Sequence, residues 1–277
     1  MSAPVQRLLP HPPGEVPLEG LYLAHDLRRF GSVERPFVYS NFIASLDGRV
    51  SLPDPSSGNR AIPAEVANDR DWRLYMELAA QADVLLTSAR HLRAVAKGRQ
   101  TELLNLGSDT YPDLVAWRRA RGLVRQPVVA ALSPDLRLPV QLPARFPLAD
   151  FLVVGPASAP AERGEELRRH GMEVVRTGTR DYVQAEDLVA VLAERGHGII
   201  YSLAGPRVMH TLLSGERMDR LYLTTALKAL GGEGYDTLLK GPPLDPPAAF
   251  NVEALYLDTA APEGSGQLFM TLQRSQG

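Results

Sequence analysis

The chain of 277 residues predicts an α/β fold, a largely parallel sheet covered by helices. Three observations carry the prediction. From Arg35 onward, short apolar runs alternate with amphipathic stretches, the order that strand-helix-strand units produce. From residue 151 the alternation becomes regular: FLVVG, a helix around AERGEELRRHG that ends in glycine, MEVV, the helix AEDLVAVLAERG, then HGIIYSL. The last two segments, FNVEALYLD and QLFMTLQR, alternate apolar with polar residues and read as an antiparallel hairpin closing the sheet edge.

FVYSNFIAS (37–45) is the first apolar strand of the series, and it runs into Leu46-Asp47-Gly48 and the loop PDPSSGN. A helix comes next in PAEVANDRDWRLYMELAAQA, where Trp72, Tyr75, Met76 and Ala79 fall at i, i+3, i+4 and i+7 and a proline stands near the start. DVLLT (83–87) is a short buried strand. Residues 94–125 are polar, with PDLVAWRRARG (112–122) the clearest helix, and read as an insertion. PVVAAL (127–132) is the next strand and ends in a turn at Ser133-Pro134-Asp135. IIYSLAGPRVMHTLL (199–213) is a strand that breaks at Ala204-Gly205-Pro206 and restarts as a helix. LYLTTAL (221–227), the glycine-rich LGGEG (230–234) and a proline-rich link lead to the hairpin. No repeat or low-complexity linker divides residues 35–277, so one domain is expected there. An arm, residues 1–34, precedes it; five prolines within the first seventeen residues suggest an extended segment, either a poorly packed terminus or a clasp on a partner subunit.

A formal charge of −2 and 44% hydrophobic residues give no basic footprint for nucleic acid. The absence of cysteine excludes disulfides, thiolate catalysis and cysteine-ligated metal, and fits a reducing compartment, so a cytoplasmic location is expected. The first twenty residues are interrupted by proline and lack the apolar stretch of a signal peptide, and no run approaches a membrane span.

The common nucleotide and hydrolase signatures are missing: no G-x-x-x-x-G-K-[ST], no G-x-G-x-x-G after the first strand, no G-x-S-x-G. The six histidines (11, 25, 91, 170, 197, 210) show no ligand spacing, so no protein-bound metal is expected. What remains is a set of loops after strand ends, where open α/β sheets place ligands. Asp47 comes directly after a strand and reads either as a carboxylate at the sheet edge or as an Asx-turn before Gly48. Thr87-Ser88-Ala89-Arg90 reads as a phosphate-facing turn or a helix cap. Ser133 could hold a ribose, and Arg93 and Arg99 could clamp a phosphate. Ala204-Gly205-Pro206-Arg207 offers the best anion site, a tight turn at a helix N-terminus. Gly231 and Gly232 suit a close approach to a cofactor, and His210 reads as a surface or capping histidine.

RPFVYSNFIASLDGRV, AADVLLTSARHLRA, PVVAALSPDLRLP and GIIYSLAGPRVMHTLLSGERMDRLYLTTALKALGGEG occur in the order found in the reductase domain of riboflavin biosynthesis, which the chain resembles from about Arg35 to its end. This RibD C-terminal family has a dihydrofolate-reductase-like fold, three layers in the order αβα. The resemblance implies NADPH-dependent reduction of a phosphoribosylamino-pyrimidine, with hydride delivered to C1 of the opened ribose. It implies that Asn41 and Asp47 face the substrate, Asp47 binding the opening sugar or helping to protonate it, with Arg93 in the substrate loop. Ser88, Ala89, Ala204, Gly205, Pro206, Arg207, Gly231 and Gly232 would surround the nicotinamide and pyrophosphate, and Ser133 the adenosine end. A homodimer is implied as well, acting on a small molecule and not on nucleic acid or a membrane.

The departures from the family pattern are specific. Where the family has G-A-x-T-V-R-A-D, this chain has Ser88-Ala89-Arg90-His91-Leu92-Arg93-Ala94-Val95. Where it has E-G-G-P, this chain has Leu203-Ala204-Gly205-Pro206, and its D-E is Asp219-Arg220. A leucine cannot replace a carboxylate, so dihydrofolate-reductase-like activity on a pterin and a non-catalytic nucleotide-binding or dimeric module stand as alternatives.

Overall fold

The computed structural model describes residues 2–54, 59–97, 106, 110–145 and 150–275. Its strands are β1 (Val5–Leu9), β2 (Gly14–Val16), β3 (Phe37–Ser45), β4 (Leu52–Asp54), β5 (Asn59–Ala61), β6 (Val84–Ser88), β7 (Val128–Leu132), β8 (Phe151–Pro156), β9 (Glu173–Thr177), β10 (Ile199–Ser202), β11 (Arg220–Ala226), β12 (Phe250–Asp258) and β13 (Gln267–Arg274). The α-helices are α1 (Asp69–Gln81), α2 (Ala89–Ala96), α3 (Pro112–Ala120), α4 (Leu142–Arg145), α5 (Ala161–Arg169), α6 (Ala185–Ala193) and α7 (Pro206–Ser214). The turns at PDPSSGN and around Arg99 fall wholly or partly outside the described residues, as does much of the polar segment 94–125.

One eleven-stranded sheet has the order β2-β1-β12-β13-β11-β3-β10-β6-β7-β8-β9, and β4 pairs with β5 apart from it. The run β11-β3-β10-β6-β7-β8-β9 is parallel, while β13, β12, β1 and β2 each pair antiparallel. The sequence expectation is corrected in two places. The C-terminal hairpin is antiparallel but does not close the edge, because β1 pairs with β12 and β2 with β1 beyond it. The N-terminal arm is accordingly part of the sheet and not a poorly packed terminus.

Helices lie on both faces. On one, α1 packs over Tyr39, Leu85, Ile199, Tyr201 and Tyr222, together with the N-terminal residues Leu18, Leu21, Tyr22 and Leu27. On the other, α6 and α7 pack over Val38, Val84, Leu86 and Ile200. Strand alternation explains the division: odd-numbered residues of β3 and β10 face α1, even-numbered ones face α7. The three-layer, dihydrofolate-reductase-like arrangement is therefore present. Among the described residues, no helix is long and apolar enough to cross a membrane.

The α1 helix starts later than the proline pattern implies. Asn68 is its N-cap, its side chain accepting from the backbone N–H of Arg70 (3.1 Å) and Asp71 (3.0 Å). This fixes the first turn, and with it the directions in which Arg70 and Asp71 project. Arg70 binds the fully buried Asp258 of β12 at 2.7 Å, tying the helix to the hairpin. Glu77 and Gln81 then hold the N-terminal segment: Glu77 accepts from the N–H of Gly20 and Tyr22, and Gln81 from that of Leu27.

Candidate active site

At the end of β3 the chain turns at Gly48, whose φ of +81° favours glycine. Asp47 at this turn accepts from Ser45 Oγ on one oxygen (2.5 Å) and from the N–H of Leu230 (3.1 Å) and Gly231 (2.8 Å) on the other. Arg49 adds an ion pair at 2.7 Å, donates to the Gly232 carbonyl and lies over the Tyr235 ring. The Ser45 hydroxyl and the Gly231 N–H hold the Asp47 carboxyl down to about 2. Through these bonds Asp47 fastens the glycine loop to the strand end. Gly231, Gly232 and Gly234 all have positive φ, which lets that loop curl over the carboxylate.

Asn41 stands on the α1 face of β3, four residues before Ser45 and hence about 13 Å from it along the strand. Its side-chain oxygen accepts from Tyr201 Oη at 2.6 Å, and Tyr201 in turn stacks on Tyr39. Asn41 and Asp47 thus stand at two levels of the same strand and its following turn.

The carboxylate on the same sheet face as Asn41 is Asp71, which the sequence did not single out. It projects from the first turn of α1 toward the sheet, and its Oδ1 accepts from Thr224 Oγ1 of β11 at 2.5 Å. Thr224, Asn41 and Tyr201 belong to the adjacent strands β11, β3 and β10 and share the α1 face. Asp71 is only 9% exposed, and burial, opposed only by the Thr224 hydrogen bond, raises its carboxyl to about 6. Tyr75 and Trp72, stacked 4.9 Å apart, flank it, and Tyr75 lies 5.7 Å from Tyr201 between ring centroids. A small pocket opens at the same end of α1, between Asn68, Ala226, Lys228 and Gln267. The signal was in the helix pattern: Asp71, Leu74, Leu78 and Gln81 form one buried row, so a carboxylate interrupts an inward-facing stripe.

The loops on the other side of β10 divide into filled and open positions. Ser88 caps α2 by accepting from the His91 N–H at 3.3 Å, and Ala89 is buried behind it. Ser133 is fully buried, with its hydroxyl on Asp135 at 3.4 Å. Arg93 donates to the Arg137 carbonyl, which ties α2 to the segment after β7. Ala204 is buried in the α7 core, whereas Gly205 and Arg207 are exposed. The N-terminus of α7 has no capping side chain, and Pro206 occupies its first turn. Ser202 Oγ in the strand leading into it, and Thr87 Oγ1 on neighbouring β6, are buried without a hydrogen-bond partner.

The family departures have packing explanations. Leu203 continues the β10 ladder through its N–H to Leu86 and packs against the Tyr201 cluster, so an apolar surface stands where the family pattern has a carboxylate. Asp219 accepts from the Val38 N–H, and Arg220 is buried between an ion pair with Glu253 and the ring of Phe30. His210 is hydrogen-bonded at Nε2 to the Pro242 carbonyl, holding the link after the glycine loop onto α7.

The family profile of the RibD C-terminal domain matches residues 36–256. In fold the chain is similar to a pyrimidine reductase-like protein from Corynebacterium diphtheriae, with a TM-score of 0.65 at 20% identity over 88% of this chain and 94% of that one. It is similar also to RibD of Acinetobacter baumannii (TM-score 0.58, 16% identity, 87% of this chain and 58% of that one). The riboflavin biosynthesis reductase Rib7 of Saccharomyces cerevisiae gives a TM-score of 0.54 at 16% identity, over 87% and 90% of the two chains. No curated protein matches significantly in sequence.

Proposed function

Because the chain belongs to the RibD C-terminal domain family, we propose that it is an NADPH-dependent reductase of the riboflavin-pathway type, acting on a phosphoribosylamino-pyrimidine or a related heterocycle. The observation that carries this reading is Asp71: a buried carboxyl raised to about 6, hydrogen-bonded to Thr224, on the sheet face that holds Asn41 and Tyr201. A reductase that delivers hydride to C1 of an opened aminosugar needs a proton for the attached nitrogen, and a carboxyl tuned toward neutral pH supplies one.

Several features fit a dinucleotide. The uncapped N-terminus of α7 at Gly205-Pro206-Arg207 suits a diphosphate, and the orphaned Ser202 hydroxyl in the strand before it suits a polar ligand atom. The Gly231-Gly232 loop, fastened by Asp47, would close over the reactive ring. NADPH, when bound, supplies the hydride. This chain's residues do the rest: Asp71 holds and gives the proton, Asn41 presents its amide to the heterocycle with Tyr201 orienting it from the core, and Leu203 with Tyr75 excludes water. Ser88 and Ser133 are occupied by their own turns and contribute backbone at most.

Leu203 favours a second reading, in which the substrate is a pterin-like ring and Asp71 protonates a ring nitrogen as the adjacent carbon is reduced. One experiment addresses both. Purified protein is titrated with NADPH by fluorescence, then assayed for NADPH oxidation with 5-amino-6-(5-phosphoribosylamino)uracil and, separately, with dihydrofolate. Binding in the micromolar range and turnover of one of the two is expected. Absence of NADPH binding near 1 mM would sink the reductase reading and leave the non-catalytic module.

A further inference from the structure

Residues 18–30 precede the family match and pack beside α1 on the face of β11, β13 and β12 that holds Tyr222, Phe269 and Tyr256. Two buried side chains of α1 hold them there. Glu77 accepts from the N–H of Gly20 (2.6 Å) and Tyr22 (2.9 Å) and from Arg73 Nε (2.9 Å), while Gln81 accepts from the Leu27 N–H (2.8 Å) and donates to the Tyr22 carbonyl (2.9 Å). On the sheet side the Tyr22 ring lies on that of Tyr222, 4.6 Å between centroids, and His25 reaches Tyr222 Oη at 3.0 Å and Tyr256 Oη at 3.2 Å. Tyr22 therefore fills the space between α1 and β11, the two elements that carry Asp71 and its partner Thr224. Thr224 is two residues past Tyr222 on the same face of the strand, about 7 Å on. The Tyr22 hydroxyl is buried without a hydrogen-bond partner, so what this side chain supplies is volume and not a bond.

We propose that residues 18–30 are a strap belonging to the site, with Tyr22 a positioning residue that closes the β11 side of Asp71 against water and Glu77 and Gln81 its anchors on the helix. The inference deepens the reading of Asp71 as the proton donor and rests on it. The surroundings of the carboxyl carry the argument. The titratable groups that face it are Tyr75 of its own helix, Tyr201 of β10 and Tyr22 of the strap, and in each the Asp71 charge adds to burial in raising the phenol. Of the cations on α1, Arg70 is turned onto Asp258, and Arg73 onto Glu77 and Asp113; on the strap, Arg28 pairs with Asp83 and Arg29 lies over the Phe30 ring. The carboxyl thus meets three neutral rings, and the Thr224 hydroxyl is what favours its charged form. Exclusion of water is then what keeps the proton on Asp71, and an opening on the β11 side would release it. Because the strap lies outside residues 36–256, this control belongs to the chain's own N-terminal segment.

The test reads Asp71 itself, in the full chain with neither NADPH nor substrate present. Carbon-13 NMR of the Asp71 carboxyl, assigned by its loss in Asp71→Asn, should show the parent titrating at about 6. Tyr22→Ala opens the β11 side and should move the titration down by at least about one pH unit; Tyr22→Leu, which keeps apolar bulk should the alanine variant not fold, should move it the same way. Tyr22→Phe retains the ring, loses only the unbonded hydroxyl and should restore the parent titration. Leu167→Ala, a core truncation in α5 away from the site, should cost stability and leave the titration in place. The descending limb of kcat/KM against pH should shift with the titration, a loss of about tenfold above pH 6 in Tyr22→Ala. Folded Tyr22→Ala and Tyr22→Leu variants that titrate with the parent, a Tyr22→Phe that moves as far as Tyr22→Ala, or an equal movement in Leu167→Ala would overturn the proposal. The expected titrations without turnover of either substrate would uphold the strap and fail the reductase reading.

Discussion

Burial raises the Asp71 carboxyl from 3.8 to about 6, so between those values the folded chain holds a proton that the unfolded chain has released. Folding stability therefore falls as pH rises through this window, by up to about 3 kcal/mol for a shift of about two units. Asp71→Asn keeps an oxygen for Thr224 and removes the charge. It should unfold at higher denaturant than the parent at pH 7.5, by about 1–3 kcal/mol, with the gap closing below pH 4. A gap independent of pH would mean that Asp71 is not buried as described. His25 slopes the other way: burial, with Arg220 and Arg29 nearby, lowers it to about 4, so its contribution is present above 6.5 and lost as pH falls to 4. The two nearly offset each other between pH 4 and 6, which makes the variant difference more informative than the parent curve. Asp71 was legible in principle, as a carboxylate in a buried helical row. Its partner Thr224 lies 153 residues away on β11, and no local pattern announces such a contact.

At the scale of elements, the glycine loop after β11 is held by the turn after β3. Asp47 takes two backbone N–H groups of residues 230–231, and Arg49 takes the Gly232 carbonyl. Asp47→Ala should release the loop: faster hydrogen exchange across residues 228–236 and NADPH binding weakened about tenfold, with the fold retained. If exchange there stays at the parent rate, Asp47 does not fasten the loop. Stability linked to this carboxylate is present above 3.8 and lost as pH falls toward 2. The N-terminal arm makes a second case. Its prolines suggested a loose terminus, yet β1 pairs with β12 and β2 with β1, because proline is compatible with edge strands and with the turns between them. Deleting residues 1–16 should leave β12 as an open edge, lower the melting temperature by several degrees and promote aggregation. An unchanged melting temperature would show that the pairing contributes nothing.

Across the whole molecule, the order of parallel strands was legible because apolar runs and helical periodicity are local signals, and the right-handed αβ connections leave few alternatives. What the sequence hid was the reach of the two termini: the hairpin became interior only because residues 5–16 return to the far side of it. The candidate site shows the same division. Gly205, Pro206, Gly231 and Gly232 lie in turns that open at strand ends, as their spacing implied. Ser88 and Ser133 instead satisfy their own turns, and the buried Asp71 carboxyl came from a helix, not from a strand-end loop.

The central claim is that Asp71 holds the proton the reduction consumes. Its most direct test is kcat/KM for NADPH oxidation from pH 5 to 8, with whichever of the two substrates turns over, for the parent chain and Asp71→Asn. The parent profile should fall about tenfold per pH unit above about 6. The variant should retain roughly 1% or less of the activity at pH 6, with no such fall and with NADPH affinity within about threefold of the parent. A flat parent profile, or an Asp71→Asn enzyme as active as the parent, would contradict it.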